Sequence, residues 1–229
     1  LIALICFILC AGAWGPITHV QIANNIQGRL NPTDLNAYYA GSVLVDIAML
    51  KDSSDSTKQN MFHAIVYRES LTRNAITPEE KSFVMGWQTH LLSDGVEGIY
   101  TVLKKAPVAV EWGVDAIIGK PSPSHSINIS TGVANLMVKA WTETYPNFAP
   151  ITVAWVTGSS MTYNLYLGGA YRPVSKEQAL LYFGDYQTYI TQSENACLAG
   201  ITPNPPVIPI PVIKVTSPSA GAVWQKGPH

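Results

Sequence analysis

The 229 residues carry 14 Lys and Arg against 15 Asp and Glu, a net charge of −1, with 47% hydrophobic and only 13% charged residues. Such a composition supports a sizeable core and argues against disorder. With no basic stripe or Lys/Arg run, it excludes a protein that holds duplex nucleic acid through phosphate contacts.

In chain order, residues 1–13 are an apolar run ending Ala11-Gly12-Ala13, the small-residue pattern of a signal-peptide cleavage site and too short to span a bilayer. Cleavage there removes Cys6 and Cys10 and leaves Cys197 alone, so no disulfide framework is expected. Trp14 then opens the mature chain. Pro16 suits a first helical turn, and the helix it starts is expected to reach about Gln27 and to carry His19. Residues 31–34 read as a turn before a second helix start. The run 40–50 is apolar except for Asp46, a carboxylate that needs a partner if buried.

Residues 59–72 read as one helix carrying His63 among Met61, Phe62, Ile65 and Val66. Thr77-Pro78-Glu79-Glu80 has capping-box spacing with Pro in the first turn, and starts a long helix. That helix places His90 and Asp94 four residues apart on one face, with Glu97 on nearly the same stripe. Glu111 and Asp115 repeat the four-residue spacing in an apolar segment with nothing basic beside them. Two such carboxylates repel unless a cation lies between them or the face is solvated. His125 sits in a Pro/Ser loop and carries no expected role.

Residues 126–145 and 175–198 are expected to be helical, and 153–169 helical in pieces. No hairpin signal or Gly-rich phosphate loop occurs between 14 and 200. Residues 201–211 form a Pro-rich linker. Residues 212–229 alternate like a strand, turn and second strand, and resemble the opening of an immunoglobulin-like β-sandwich module. The expected organisation is therefore a signal peptide at 1–13, an all-α domain at 14–200, the linker, and a truncated β module.

The order Trp14, His19, Asp46, His63, His90, Asp94, Glu111, Asp115 resembles the zinc-dependent phospholipase C family, and more distantly the single-strand nucleases that share its helical fold. Three features carry the resemblance. A Trp lies at the cleavage site with a His five residues on. A lone Asp and a lone His follow on successive elements, and H-x-x-x-D is then followed by a second acid-ending pair. The resemblance implies that Trp14, through its α-amine and carbonyl, holds one zinc ion with His19. Asp94 would bridge to a second ion held by Asp46, His63 and His90.

The third metal of that family is where this sequence departs. The family pattern has a His shortly after the H-x-x-x-D aspartate and a later His-x-x-x-Glu or His-x-x-x-Asp pair, whereas this chain offers Glu97 at the first place and Glu111 with Asp115 as the pair. An all-carboxylate site is harder and less zinc-selective, so it takes zinc weakly, prefers Mn²⁺ or Ca²⁺, or binds nothing. The implied activity is metal-assisted phosphodiester hydrolysis, with Asp46 as ligand and general base. A phospholipid at a transiently visited membrane surface is favoured over single-stranded nucleic acid, because basic residues are scarce. The expected protein is a secreted or cell-surface monomer. The rival reading is a non-catalytic surface protein in which the metal cluster staples a Cys-poor domain.

Overall fold

The computed structural model describes residues 14–46, 48, 56–96, 113–119, 126–167 and 175–205. The predicted leader at 1–13, Glu97, Glu111, His125 and the strand-like segment at 212–229 lie outside the described residues. Within them the chain is all-α, with no strand, and no helix is long and apolar enough to cross a membrane.

Helix α1 spans Pro16–Leu30, with Pro16 at its start and Ile17, Val20, Ala23 and Ile26 on its buried side. It ends at Asn31, whose left-handed backbone (φ 56°) is a conformation Asn tolerates better than most residues. The chain returns to this end from far away. Asn204 N–H donates to the Leu30 carbonyl at 2.9 Å, and Asn31 Nδ2 donates to the Pro205 carbonyl at 3.0 Å. The first residues of the Pro-rich stretch are thus strapped to the end of α1.

Helix α2 (Leu35–Leu44) is N-capped by Asp34, which accepts from Ala37 N–H. Two helices, α3 (Ser56–His63) and α4 (Ile65–Asn74), replace the single one expected over 59–72. The break is at Ala64, whose backbone is extended. Helix α5 (Pro78–Asp94) begins with the capping box read from the sequence, Thr77 and Glu80 each bonding the other's backbone. It stops at Gly95, short of Glu97. Helix α6 covers Gly113–Ile118 and α7 covers Thr131–Thr144, starting later than expected because Ser130 caps it. Helices α8 (Val153–Thr157) and α9 (Ser159–Leu167) confirm helix in pieces, and 175–198 is likewise divided, into α10 (Lys176–Tyr182) and α11 (Tyr186–Gly200).

The closest packing places α2 on α5, with α1 and α11 also against α5. Gly41 and Gly86 make that approach possible. A Cβ at Gly41 would run into the Phe83 carbonyl and Trp87 N, and one at Gly86 into the Tyr38 carbonyl and Ser42 N. With backbone against backbone, the chain leaving α2 is set beside the C-terminal half of α5. An aromatic cluster of Phe62, Tyr67, Trp87, Trp141 and Tyr145 joins α3, α4, α5 and α7 into the adjoining core, with ring centroids 5.0–6.1 Å apart.

Candidate metal centre

Four elements aim side chains at one buried point. Helix α1 supplies His19, the turn after α2 supplies Asp46, the end of α3 supplies His63, and α5 supplies His90 and Asp94. Asp46 lies in a turn because α2 ends at Leu44 instead of running through the apolar stretch. His90 and Asp94 meet as an i, i+4 pair, with Nε2 3.1 Å from Asp94 Oδ2. His90 Nε2 also lies 3.3 Å from His63 Nε2 and 3.6 Å from Asp46 Oδ1. His63 Nε2 is 3.5 Å from Asp46 Oδ1 and 3.6 Å from Asp94 Oδ2. On the other side, His19 Nε2 approaches Asp94 Oδ1 at 3.3 Å and Asp46 Oδ2 at 3.8 Å. Each carboxylate therefore offers one oxygen toward His19 and the other toward His63 and His90.

The second ring nitrogens decide the chemistry. His90 Nδ1 lies 2.9 Å from the Ser42 carbonyl, and His63 Nδ1 lies 2.9 Å from the Gln59 carbonyl. A carbonyl can only accept, so both Nδ1 atoms carry hydrogen. His19 Nδ1 sits 3.0 Å from Ser93 Oγ, whose own proton goes to the His90 carbonyl at 2.8 Å. That hydroxyl is left to accept, and His19 Nδ1 donates as well. All three imidazoles in their neutral form then turn an Nε2 lone pair inward, the arrangement in which outer hydrogen bonds orient metal-ligating histidines. Two such lone pairs face each other 3.3 Å apart at His63 and His90, which requires a proton or a cation between them. His19 Nε2 and both oxygens of Asp46 are buried and make no hydrogen bond among the described residues.

Electrostatics agree with this geometry. Burial pushes His19 down, but the charges of Asp94, Asp46 and Asp115 together raise its pKa above the ordinary histidine value. His63 is likewise opposed by burial and raised to about 10 by Asp46 and Asp94. His90 goes the other way, lowered by burial and by the neighbouring His19. Burial pushes Asp94 up, yet the charges of His90 and His19 hold it well below the usual carboxylate range. Without a cation the cluster can exist only by retaining protons on its histidines. Two overlapping donor groups, His19/Asp46/His90 and His63/His90/Asp94, could hold a metal ion, and mixed imidazole and carboxylate donors suit a divalent transition metal. The cluster is nearly sealed, with side-chain exposure of 23% at His63, 8% at Asp94 and none at His19, Asp46 or His90.

Of the remaining expected residues, Trp14 and Asp115 lie among those described, and the side chain of each has hydrogen-bond partners outside the cluster. Trp14 is fully buried, and its indole Nε1 donates to Ser193 Oγ at 3.0 Å. Ser193 in turn donates to the Ser93 carbonyl at 3.2 Å. Asp115, expected to share a cation with Glu111, has both oxygens taken by other donors. Oδ1 accepts from Thr18 N–H and Thr18 Oγ1, and Oδ2 from Ile17 N–H and the Tyr166 hydroxyl. Ser42, Gln59 and Ser93 were not expected. Two act through backbone carbonyls, which no sequence pattern marks. Ser93, three residues after His90, bonds back onto its own helix, and only that habit of helical serines hinted at it.

No family model matches the chain, and neither does any curated protein or solved structure.

Proposed function

We propose that this chain is a secreted metal-dependent phosphodiester hydrolase of the zinc-dependent phospholipase C type, with the helical fold that those enzymes share with single-strand nucleases. The supporting observation is the convergence of three imidazoles, each with Nδ1 committed to an acceptor, and two carboxylates, each with an oxygen on either side of the cluster. His19, Asp46, His63, His90 and Asp94 would hold a zinc pair there, which when bound would supply Lewis acidity toward a phosphodiester and toward water.

The chain's own residues do the rest. Asp94 and Asp46 span the two halves of the cluster, and the outer hydrogen bonds from Ser42, Gln59 and Ser93 keep the imidazoles turned inward. Asp46, whose oxygens make no hydrogen bond among the described residues, is the group to take a proton from the attacking water. Substrate approaches past His63 and Asp94, the two members with exposed surface. Ile65 and Val66, 62% and 56% exposed just after His63, favour a phospholipid over a polyanionic strand.

A structural staple is the second reading, favoured by the complete burial of His19, Asp46 and His90, since catalytic sites keep an open position. The test is metal analysis of the purified chain, followed by turnover of phosphatidylcholine vesicles, a chromogenic phosphodiester and single-stranded DNA. Chelator-sensitive hydrolysis of phosphatidylcholine supports the phospholipase. Cleavage of DNA alone makes it a nuclease. Bound metal with no turnover of any of them leaves the staple, and a chain that binds no metal overturns both.

A further inference from the structure

Helix α1 starts without the residue that normally starts a helix. Its N-cap is Gly15, which makes no side-chain hydrogen bond, so the N–H groups of Ile17 and Thr18 need another acceptor. Asp115, 97 and 98 residues away on α6, provides it. Its carboxylate accepts Ile17 N–H at 3.0 Å and Thr18 N–H at 2.8 Å, and is held from outside by Thr18 Oγ1 at 2.6 Å and the Tyr166 hydroxyl of α9 at 2.8 Å. Those two amides are the ones a Ser, Thr or Asp at position 15 would cap. Glycine is required there for a complementary reason: a Cβ on Gly15 would run into all three atoms of the Asp115 carboxylate group. His19, whose own N–H bonds the Gly15 carbonyl at 3.1 Å, is the next residue after the pinned pair.

We propose that Asp115 is a positioning residue, a cap supplied from α6 that takes the place of the absent N-cap side chain and fixes where α1 delivers His19 to the cluster. This rests on the metal-site reading above but assigns Asp115 no contact with metal or substrate. A local cap would satisfy the same amides equally well. Only a cap from another element ties the start of α1, and with it Trp14 and His19, to α6 and α9. Asp115 also adds its charge to those that raise the His19 pKa, consistent with a carboxylate aligned with the first turn of the helix that carries it.

The experiment uses the full chain and four variants: Asp115→Ala, Asp115→Asn, Gly15→Ser, and Asp115→Ala combined with Gly15→Ser. Each single change should lower the thermal midpoint, Gly15→Ser by its clash and the Asp115 changes by uncapping α1. The double variant should recover most of it, because the introduced serine fits once the carboxylate is gone and can cap Ile17 or Thr18. The decisive readout is the ¹⁵N resonance pattern of His19 in the metal-free protein, with zinc affinity alongside. In the double variant the His19 Nδ1–H to Ser93 signature should stay perturbed, and zinc affinity should stay about tenfold or more below wild type, the scale on which outer-shell changes act.

Recovery of stability, His19 signature and affinity together would reduce Asp115 to an ordinary cap and overturn the proposal. Loss of zinc with an unchanged metal-free His19 signature would make Asp115 a ligand and also overturn it. If the wild-type chain binds no zinc, the metal-site reading fails, while the His19 resonances still decide the placement role. Should Asp115→Ala not fold, the double variant and Asp115→Asn carry the same comparison.

Discussion

Replacing Gly86 by Ala tests whether the backbone contact between α2 and α5 builds the site. An added Cβ would lie 2.9 Å from Ser42 N and from the Tyr38 carbonyl carbon, and closer still to the Tyr38 oxygen. Ordinary carbon contacts are at about 3.5–4 Å, so the two backbones must part by on the order of 1 Å. Neither side of the clash is a flexible side chain that can swing away. Overpacking of this kind costs about 1–3 kcal/mol. The same displacement stretches the 2.9 Å bond from His90 Nδ1 to the Ser42 carbonyl, worth about 1 kcal/mol. Against this, Ala in a helix interior gains up to about 1 kcal/mol over Gly. The net expectation is a loss of about 1–3 kcal/mol in urea denaturation of the metal-free protein. Zinc affinity should fall about 10–100-fold, because His90 loses the partner that orients it. Gly28→Ala on the exposed side of α1 is the matched control. Nothing lies within 4 Å of its added Cβ, so it should stabilise by up to about 1 kcal/mol. If Gly86→Ala stabilises as Gly28→Ala does, the close approach of α2 to α5 is wrong, and so is the placement of Asp46 beside His90.

Three further outcomes are expected. His90→Ala removes a fully buried imidazole and leaves Asp94 and Asp46 facing His63 and His19 across a cavity; it should abolish tight zinc binding and cost the metal-loaded protein about 3–5 kcal/mol, measured by denaturation with and without chelator. The pH dependence should reverse with metal. In the metal-free protein the His63 pKa is raised to about 10 from an unfolded value near 6.5, so its stabilisation is complete below the unfolded value and is lost as pH rises through about 10. A divalent metal held by the cluster would have to displace those same protons, so its affinity should rise over that interval, and calorimetry with zinc at two pH values with proton-release measurement checks both signs. Finally, if the α-amine of Trp14 is a ligand, as the phospholipase resemblance implies, a chain beginning at Trp14 should bind one more zinc than a chain with a single Gly before it; equal stoichiometry would remove that ligand from the scheme.

The local chemistry of helix starts was readable because it is written in adjacent residues. Thr77-Pro78-Glu79-Glu80 predicts its capping box, and Asn31 through Asp34 predicts the turn and helix start before α2. Helix endings set by tertiary demand were not readable. Nothing in Phe62-His63-Ala64-Ile65 breaks a helix, yet α3 stops at His63, whose ring bonds the Gln59 carbonyl of its own last turn while Nε2 turns toward Asp46. The apolar run at 40–50 likewise does not mark the end of α2 at Leu44, after which Asp46 comes to lie 3.6 Å from His90 Nε2. The pair of glycines that lets α2 meet α5 looks in sequence like two weak points in helices. Its meaning exists only once both backbones are in place.

Asp115 shows how a correct physical premise can be completed in more than one way. A carboxylate on an apolar segment with no basic neighbour does need a positive partner, and a cation shared with Glu111 is one solution. The fold supplies another, the partly positive N-terminus of α1, with two backbone amides and two hydroxyls in place of an ion. The complementary evidence was present at the other end of the chain. Trp14-Gly15-Pro16 starts a helix with no side chain able to cap it, so the first turn needs an acceptor from elsewhere. Neither deficit identifies the other when each is considered alone. Together, an uncapped helix and an unpaired buried acid are complementary, and matching such deficits across a sequence is a way to predict long-range contacts that periodicity cannot detect. The five-residue cluster obeys the same logic with the opposite outcome. Its three histidines have spent their Nδ1 donors on carbonyls and a hydroxyl, so three inward lone pairs face two carboxylates, an arrangement that protons or a metal ion would complete.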